Sequence, residues 1–226
     1  MVKKFKNIDY VLIIAVVLVV SIIINIYSIM KLNDYKYKIG QQSYTNIEDI
    51  KQRNEKNMDI LSKSIEVGSI KNEELLKLYK NYDTISSETM ELWQQYGEYT
   101  KSSKFMFSKN INTNKVMEND IHGKIKEYML STLNKEMKNE KSKFKLEGED
   151  LQSFKYMYEI SSKIDEYFNK FNEETLKGIK GEEKESKVIK ENYWVDMLQG
   201  IYDISDGYVN VEWKIEASSE EIKNVE

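Results

Sequence analysis

The sequence predicts an all-α protein. It has an N-terminal single transmembrane helix followed by an antiparallel helical bundle of four to five helices. Three observations carry this. The 226-residue chain contains no proline, where average usage would place about eleven, and helix interiors exclude proline. An uncharged apolar run stands near the N-terminus. Further along, apolar residues recur at alternating spacings of three and four.

The apolar run is Tyr10 to Met30, 21 residues in which only Ser21, Asn25 and Ser28 are markedly polar. At 1.5 Å per residue it spans roughly 30 Å, the thickness of a bilayer's hydrocarbon core. Tyr10 and Tyr27 lie near its two ends, where interfacial aromatics are common. Lys3, Lys4 and Lys6 precede it, as in a signal peptide. The run is longer than an h-region of about 7–15 residues, and no A-x-A-like site follows it. An uncleaved signal anchor is therefore the expectation. Lys31, Lys36 and Lys38 follow closely, so the positive-inside count is nearly tied. The short N-terminal tail and the ease with which long domains translocate favour residues 1–9 in the cytoplasm. Residues 31–226 are then extracytoplasmic, and the localisation is the cell membrane, single-pass.

Leu32 to Val67 is helix-compatible and can continue directly from the membrane helix. Ile47, Ile50, Met58, Leu61 and Ile65 form a loose stripe there. From Asn72 to Thr100 the pattern sharpens. Leu75, Leu78, Tyr82, Ile85, Thr89, Leu92, Tyr96 and Tyr99 follow a strict 3-4 spacing, the seam of helices packed side by side as in a coiled coil. A third helix is read from Met117 to about Leu146, with Ile121, Ile125, Met129, Leu133 and Met137 on one side. A fourth follows the Gly148-Glu149-Asp150 break, with Asp150 as its cap. Its seam is Phe154, Met157, Ser161, Ile164, Phe168 and Phe171, widened by Ile160 and Tyr167. Glu182 to Ile204 reads as a fifth, with Ile189, Tyr193, Met197 and Ile201 facing inward. Tyr208 to Glu216 alternates Val209, Val211, Trp213 and Ile215 with polar residues, which is strand periodicity. A small β element near residues 201–216, paired as a short hairpin, and a helix are both left open.

Composition excludes several chemistries. Without cysteine there is no disulfide, Cys-ligated zinc or thiol catalysis. The single histidine, His122, removes every site that needs two. Arg53 is the lone arginine and the net charge is −4, a poor basis for nucleic-acid binding. The abundance of Lys, Asn, Ile and Tyr follows A/T-rich codons and points to a low-GC bacterial genome. No phosphate-binding glycine loop, nucleophile elbow or H-E-x-x-H pair is present. No cofactor, metal or catalytic residue is expected, and carboxylate pairs such as Glu88/Glu91 and Asp165/Glu166 read as solvated helix faces. Tyr79, Tyr82, Trp93, Tyr96 and Tyr99 read first as core, with an aromatic sugar-binding strip as the alternative.

Charge is uneven: residues 101–146 sum to +6 and 147–226 to −10. Complementary helix surfaces explain this, or else a basic face toward anionic lipid or wall polymer. The segment after the second helix holds Lys101, Lys104, Phe105, Met106, Phe107 and Lys109. Lysines around an apolar core make it a candidate membrane or partner docking site, against the alternative of a loop tucked into the core. The expected partners are the lipid bilayer and a protein partner or second copy, not nucleic acid. The functional expectation is a membrane-anchored, non-enzymatic interaction or structural protein of the bacterial envelope. The alternative is an accessory sensory module signalling through a membrane partner.

Overall fold

A computed structural model describes residues 7–102, 111, 120–139 and 142–215. Among these the chain is mostly helical. The order is α1 (Asn7–Val67), β1 (Ser69–Lys71), α2 (Asn72–Ser102), α3 (Ile121–Lys138), β2 (Lys143–Lys145), α4 (Gly148–Glu174), α5 (Gly181–Lys190) and α6 (Tyr193–Asp206).

α1 is one uninterrupted helix of 61 residues, about 90 Å long at 1.5 Å per residue. No proline or glycine pair interrupts its hydrogen-bond ladder, and Gly40 is accommodated within it. Its two halves differ. The large apolar residues from Tyr10 to Met30 are 49% to 66% exposed. From Ile39 onward one face is buried, at Ile39, Ser43, Asn46, Ile47, Ile50, Asn54, Asn57, Leu61 and Ser64. That is a 3-4 spacing in which five of the nine residues are Ser or Asn.

Gly68, at φ 71°, ends α1 in the left-handed region that glycine enters without a Cβ penalty. The chain then reverses through β1 into α2. The two helices run in opposite directions, because Tyr35, Asn46 and Arg53 of α1 bond Glu98, Glu91 and Asn81 of α2 respectively. The seam expected on α2 is its buried face. Leu75, Leu78, Tyr82, Ile85, Leu92, Tyr96 and Tyr99 are all buried, and only Thr89 is half-buried.

β1 pairs antiparallel with β2, Ile70 opposite Phe144. Leu146 N–H donates to the Gly68 carbonyl at 3.0 Å and extends the pairing. The strand pair therefore pins the α1–α2 turn to the α3–α4 connection. This corrects the expected third helix: α3 stops at Lys138, and Met137 is 66% exposed. Lys143-Phe144-Lys145 alternates exposed, buried, exposed, which a helix there would not permit.

α4 buries Phe154, Met157, Ile160, Ser161, Ile164 and Phe168 as expected, with Phe171 and Tyr167 half-buried. Its N-cap is Glu147 rather than Asp150, and the Asp150 carboxylate instead accepts from the Tyr128 hydroxyl at 2.8 Å. The expected fifth helix is two helices. Asn192 adopts φ 55°, a left-handed conformation that asparagine tolerates, and the axis turns there between α5 and α6. Of the two readings left open for Tyr208 to Glu216, neither a strand nor a helix is formed by the described residues 208–215. Residues up to Asp206 belong to α6, 207–210 form turns and 211–215 have no ladder partner. Val211 and Trp213 nonetheless pack against the core, so their alternation reports one buried side of an irregular segment.

α2, α4, α5 and α6 all touch α1, and α3 packs on α2. α6 crosses α4 closely because Gly200 has no side chain. A Cβ there would overlap the Tyr167 ring, whose hydroxyl donates to the Asp196 carbonyl at 2.7 Å. Gly200→Ala is expected to cost about 1–3 kcal/mol by overpacking. In a Tyr167→Ala background the same change should be close to neutral, because the two sites share one space. Denaturant unfolding of the four variants in the cycle measures this.

Candidate functional site

The facing sides of α1 and α2 carry a polar seam. Tyr35 donates to Glu98 (2.7 Å), Ser43 to Gln95 (2.6 Å) and Asn46 to Glu91 (2.9 Å). Lower down, Arg53 bonds Asp49 (2.9 Å) and Asn81 (3.3 Å), and Asn81 donates to Asn57 (2.7 Å). Asn54 reaches across to α4 and donates to the Ser161 carbonyl at 2.7 Å. Buried amides and hydroxyls are costly unless paired, so the buried and half-buried pairs that cross to α2 and α4 fix the axial register of α1 against its neighbours. Sequence reading passed over these positions because it followed apolar residues. The signal available was the same 3-4 spacing running through Ser43, Asn46, Ile50, Asn54, Asn57, Leu61 and Ser64.

Midway along the seam, Glu88 and Asp49 face each other. Burial raises Glu88 most, and its hydrogen bond to the Asp49 carboxylate adds to this, pushing its carboxyl up to about 8. Burial also pushes Asp49 upward, but hydrogen bonds from Glu88 and Arg53 outweigh this and hold it below its usual value. Glu88 is thus the proton-bearing member of the pair and not the solvated carboxylate expected from sequence.

His122 is buried between α2, α3 and α6 and stacks on Tyr82 at 6.2 Å between ring centroids. Among the described residues neither ring nitrogen has a partner, and neither does the Thr89 hydroxyl. Both side chains line a cavity of about 10 Å³, the space of one water molecule. Burial depresses the imidazole to about 4, against a smaller opposing pull from Asp120. Asp120 is itself occupied, accepting from Gly123 N–H at 2.8 Å and from Ser86.

The larger concavities are open. A trough of about 790 Å³ lies between α4 and residues 207–214, lined by Tyr156, Glu159, Lys163, Tyr208 and Trp213 among others. Within it Tyr208 donates to Glu159 at 2.7 Å and Lys163 pairs with the same carboxylate at 2.9 Å, whereas the Trp213 indole N–H has no partner among the described residues. A groove of about 420 Å³ between α1 and α2 is lined by Arg53, Lys56, Lys77 and Lys80. Arg53 is held by Asp49, Lys77 by Glu73 and Lys56 by Gln52. Among the described residues no group of three His, Asp or Glu side chains is placed to hold a metal.

Of the docking candidates, Lys101 is exposed in the last turn of α2. Lys104, Phe105, Met106, Phe107 and Lys109 lie outside the described residues. The aromatic strip is core at Tyr82, Tyr96 and Tyr99. Trp93 is half-buried and meets Tyr96 and Tyr202 edge-on. The described lysines of the basic stretch 101–146 do not form one face. Lys126 pairs with Asp83 in the middle of α2, while Lys143 and Lys145 sit on the strand pair at the Val67 end of α1.

No family model, no curated protein and no solved structure matches this chain.

Two titrations follow from the seam and the cavity. Glu88 holds its proton more tightly in the fold than its ordinary value of 4.5, so its contribution to stability is lost as pH rises from 4.5 to about 8. His122 holds its proton less tightly than its ordinary 6.5, so its contribution is lost as pH falls from 6.5 to about 4. The two slopes oppose between pH 4.5 and 6.5, and above 6.5 only the fall from Glu88 remains. Glu88→Gln should flatten that fall, and His122→Gln should leave a fall beginning near pH 4.5. Thermal unfolding across pH reads both.

Proposed function

We infer that this chain is a single-pass membrane protein of a bacterial cell envelope, with a structural or interaction role and no catalysis of its own. Residues 10–30 are the span, and residues 31–226 form an antiparallel helical bundle on the extracytoplasmic side. The observation that carries the reading is the exposure of the apolar half of α1. A soluble core helix this apolar would be covered, whereas these side chains stand outside the packed body. Exposed apolar surface on this scale marks contact with a membrane or a partner. The continuity of α1 through Met30 to Val67 favours an anchor over a cleaved leader. A non-catalytic role is supported by the side chains themselves. The buried acid, base and hydroxyl groups lie between helices, and in the open troughs Lys163, Arg53 and Lys77 are held by Glu159, Asp49 and Glu73.

A second reading, an accessory sensory module, is favoured by the polar seam. The helix that would cross the membrane is the one whose Ser and Asn residues set register with α2 and α4. An axial shift of α1 would have to exchange those pairs together. Such a module would signal through a membrane partner, and Lys101 and the segment after it are candidates for that contact.

In cells, the full chain is expected to stay with membranes after alkaline extraction. External protease should remove residues 31–226. Val20→Lys combined with Ile23→Lys should release it, since each charge near the centre of a span costs about 2.5–3.5 kcal/mol. Extraction of the unmodified chain would overturn the anchor. Full protection in intact cells would overturn the topology.

A further inference from the structure

We propose that the end of the helical body nearest the apolar segment is a lysine collar that rests on anionic lipid headgroups of the bilayer in which that segment is anchored. The inference rests on the membrane reading above and adds a second partner surface to it.

The collar is assembled from three separate parts of the chain. Lys31, Lys36 and Lys38 occupy the stretch of α1 between the last apolar residue, Met30, and the first buried one, Ile39. Lys101 comes from the end of α2. Tyr35 bonds Glu98, and Lys36 lies 5.8 Å from the Tyr99 ring centroid, so Lys101, less than a turn beyond Tyr99, lies alongside the same stretch. Lys190 comes from the end of α5. Lys184 bonds Glu48, and Ile189 lies against Gly40, so α5 climbs toward the apolar segment and Lys190 continues that climb. Trp194, just after it, meets Tyr99 edge-on at 5.5 Å, which returns the α5–α6 junction to the same level.

Lys31, Lys38, Lys101 and Lys190 are exposed and Lys36 is half-buried. Three carboxylates share the layer. Asp34 pairs with Lys38 at 3.1 Å and Glu98 accepts from Tyr35, while Glu191 is exposed beside Lys190. Five lysines against three carboxylates make this layer positive on a chain whose net charge is −4.

Distance decides that the charge can act. From Met30 to Lys38 is eight residues of unbroken helix, about 12 Å. Part of that rise is taken up by the headgroup region, which adds about 5–7 Å on each side of the hydrocarbon. The collar then stands within about one Debye length of the surface, which is about 8–10 Å at ordinary ionic strength. An anionic surface attracts lysines at that range. Lys143 and Lys145 at the far end of α1 are about 40 Å further away by the same rise per residue, and contribute nothing.

The test uses the full chain in vesicles of phosphatidylcholine alone and of phosphatidylcholine mixed with phosphatidylglycerol. Flotation reports anchoring, and hydrogen exchange reports opening of residues 31–40 and 95–102. Flotation with both vesicles and exchange slowed about fivefold or more by the anionic lipid is expected. That factor is the effect of one lysine near such a surface. High salt should erase it. Lys36→Gln, Lys38→Gln, Lys101→Gln and Lys190→Gln combined should erase it too, with flotation unchanged. Lys143→Gln with Lys145→Gln should leave it intact.

Flotation with equal exchange in the two vesicles would overturn the collar while sparing the anchor. So would a salt-sensitive difference that survives in the fourfold variant. Failure to float would overturn the anchor and the collar together.

Discussion

The structure depends on one helix remaining unbroken. α1 carries an exposed apolar half and a packed half with no hinge between them, and α2, α4, α5 and α6 are all laid against the packed half. A break near Gly40 would separate the two halves mechanically. Instead, Ile189 fills the space beside Gly40, so α5 lies directly against the one glycine of α1, its poorest helix former. The exposed apolar half and the packed half are thus one continuous helix.

The packed half is unusual in how it achieves its contacts. A seam of Leu and Ile would bury more apolar area and tolerate axial sliding, because dispersion and the hydrophobic effect are weakly directional. Ser43, Asn46, Asn54 and Asn57 give up some of that area for hydrogen bonds with fixed partners. Sliding by one residue would leave buried polar groups unpaired at a cost of about 1–3 kcal/mol each. The chain therefore trades stability for a defined register. The protonated Glu88 beside Asp49 belongs to the same economy, since two half-buried carboxylates facing each other repel when both are charged, and one proton between them relieves this.

Legibility followed periodicity. The α2 seam from Leu75 to Tyr99 and the α4 seam from Phe154 to Phe168 were readable because their buried residues are mostly apolar and regularly spaced. The α1 seam obeys the same spacing but was only half visible, since an Asn reads as a surface residue until its partner is known. Asn192 gave no warning of a break, because nothing local distinguishes a left-handed asparagine from a helical one. The short strands were hidden by length. Lys143-Phe144-Lys145 becomes a strand only because Ile70 and Gly68 lie opposite it. Tyr208 to Ile215 shows the converse, an alternating pattern with no ladder to join. Of the basic surface, Lys101 was legible as a candidate, whereas its association with Lys36 and Lys190 was not.

The sequence by itself determined that the chain is helical, that residues 10–30 are apolar enough to need cover from something other than water, and which faces of α2 and α4 turn inward. These are properties of neighbours within one or two turns, and they depend only on side-chain period and backbone propensity. The tertiary structure alone decided which Ser and Asn residues are buried and with whom they pair. It placed the strands, divided the last helices, and brought lysines from residues 36, 101 and 190 to one level. Those outcomes depend on groups tens of residues apart. Their energies exist only once the chain has closed on itself, so no local pattern could encode them visibly.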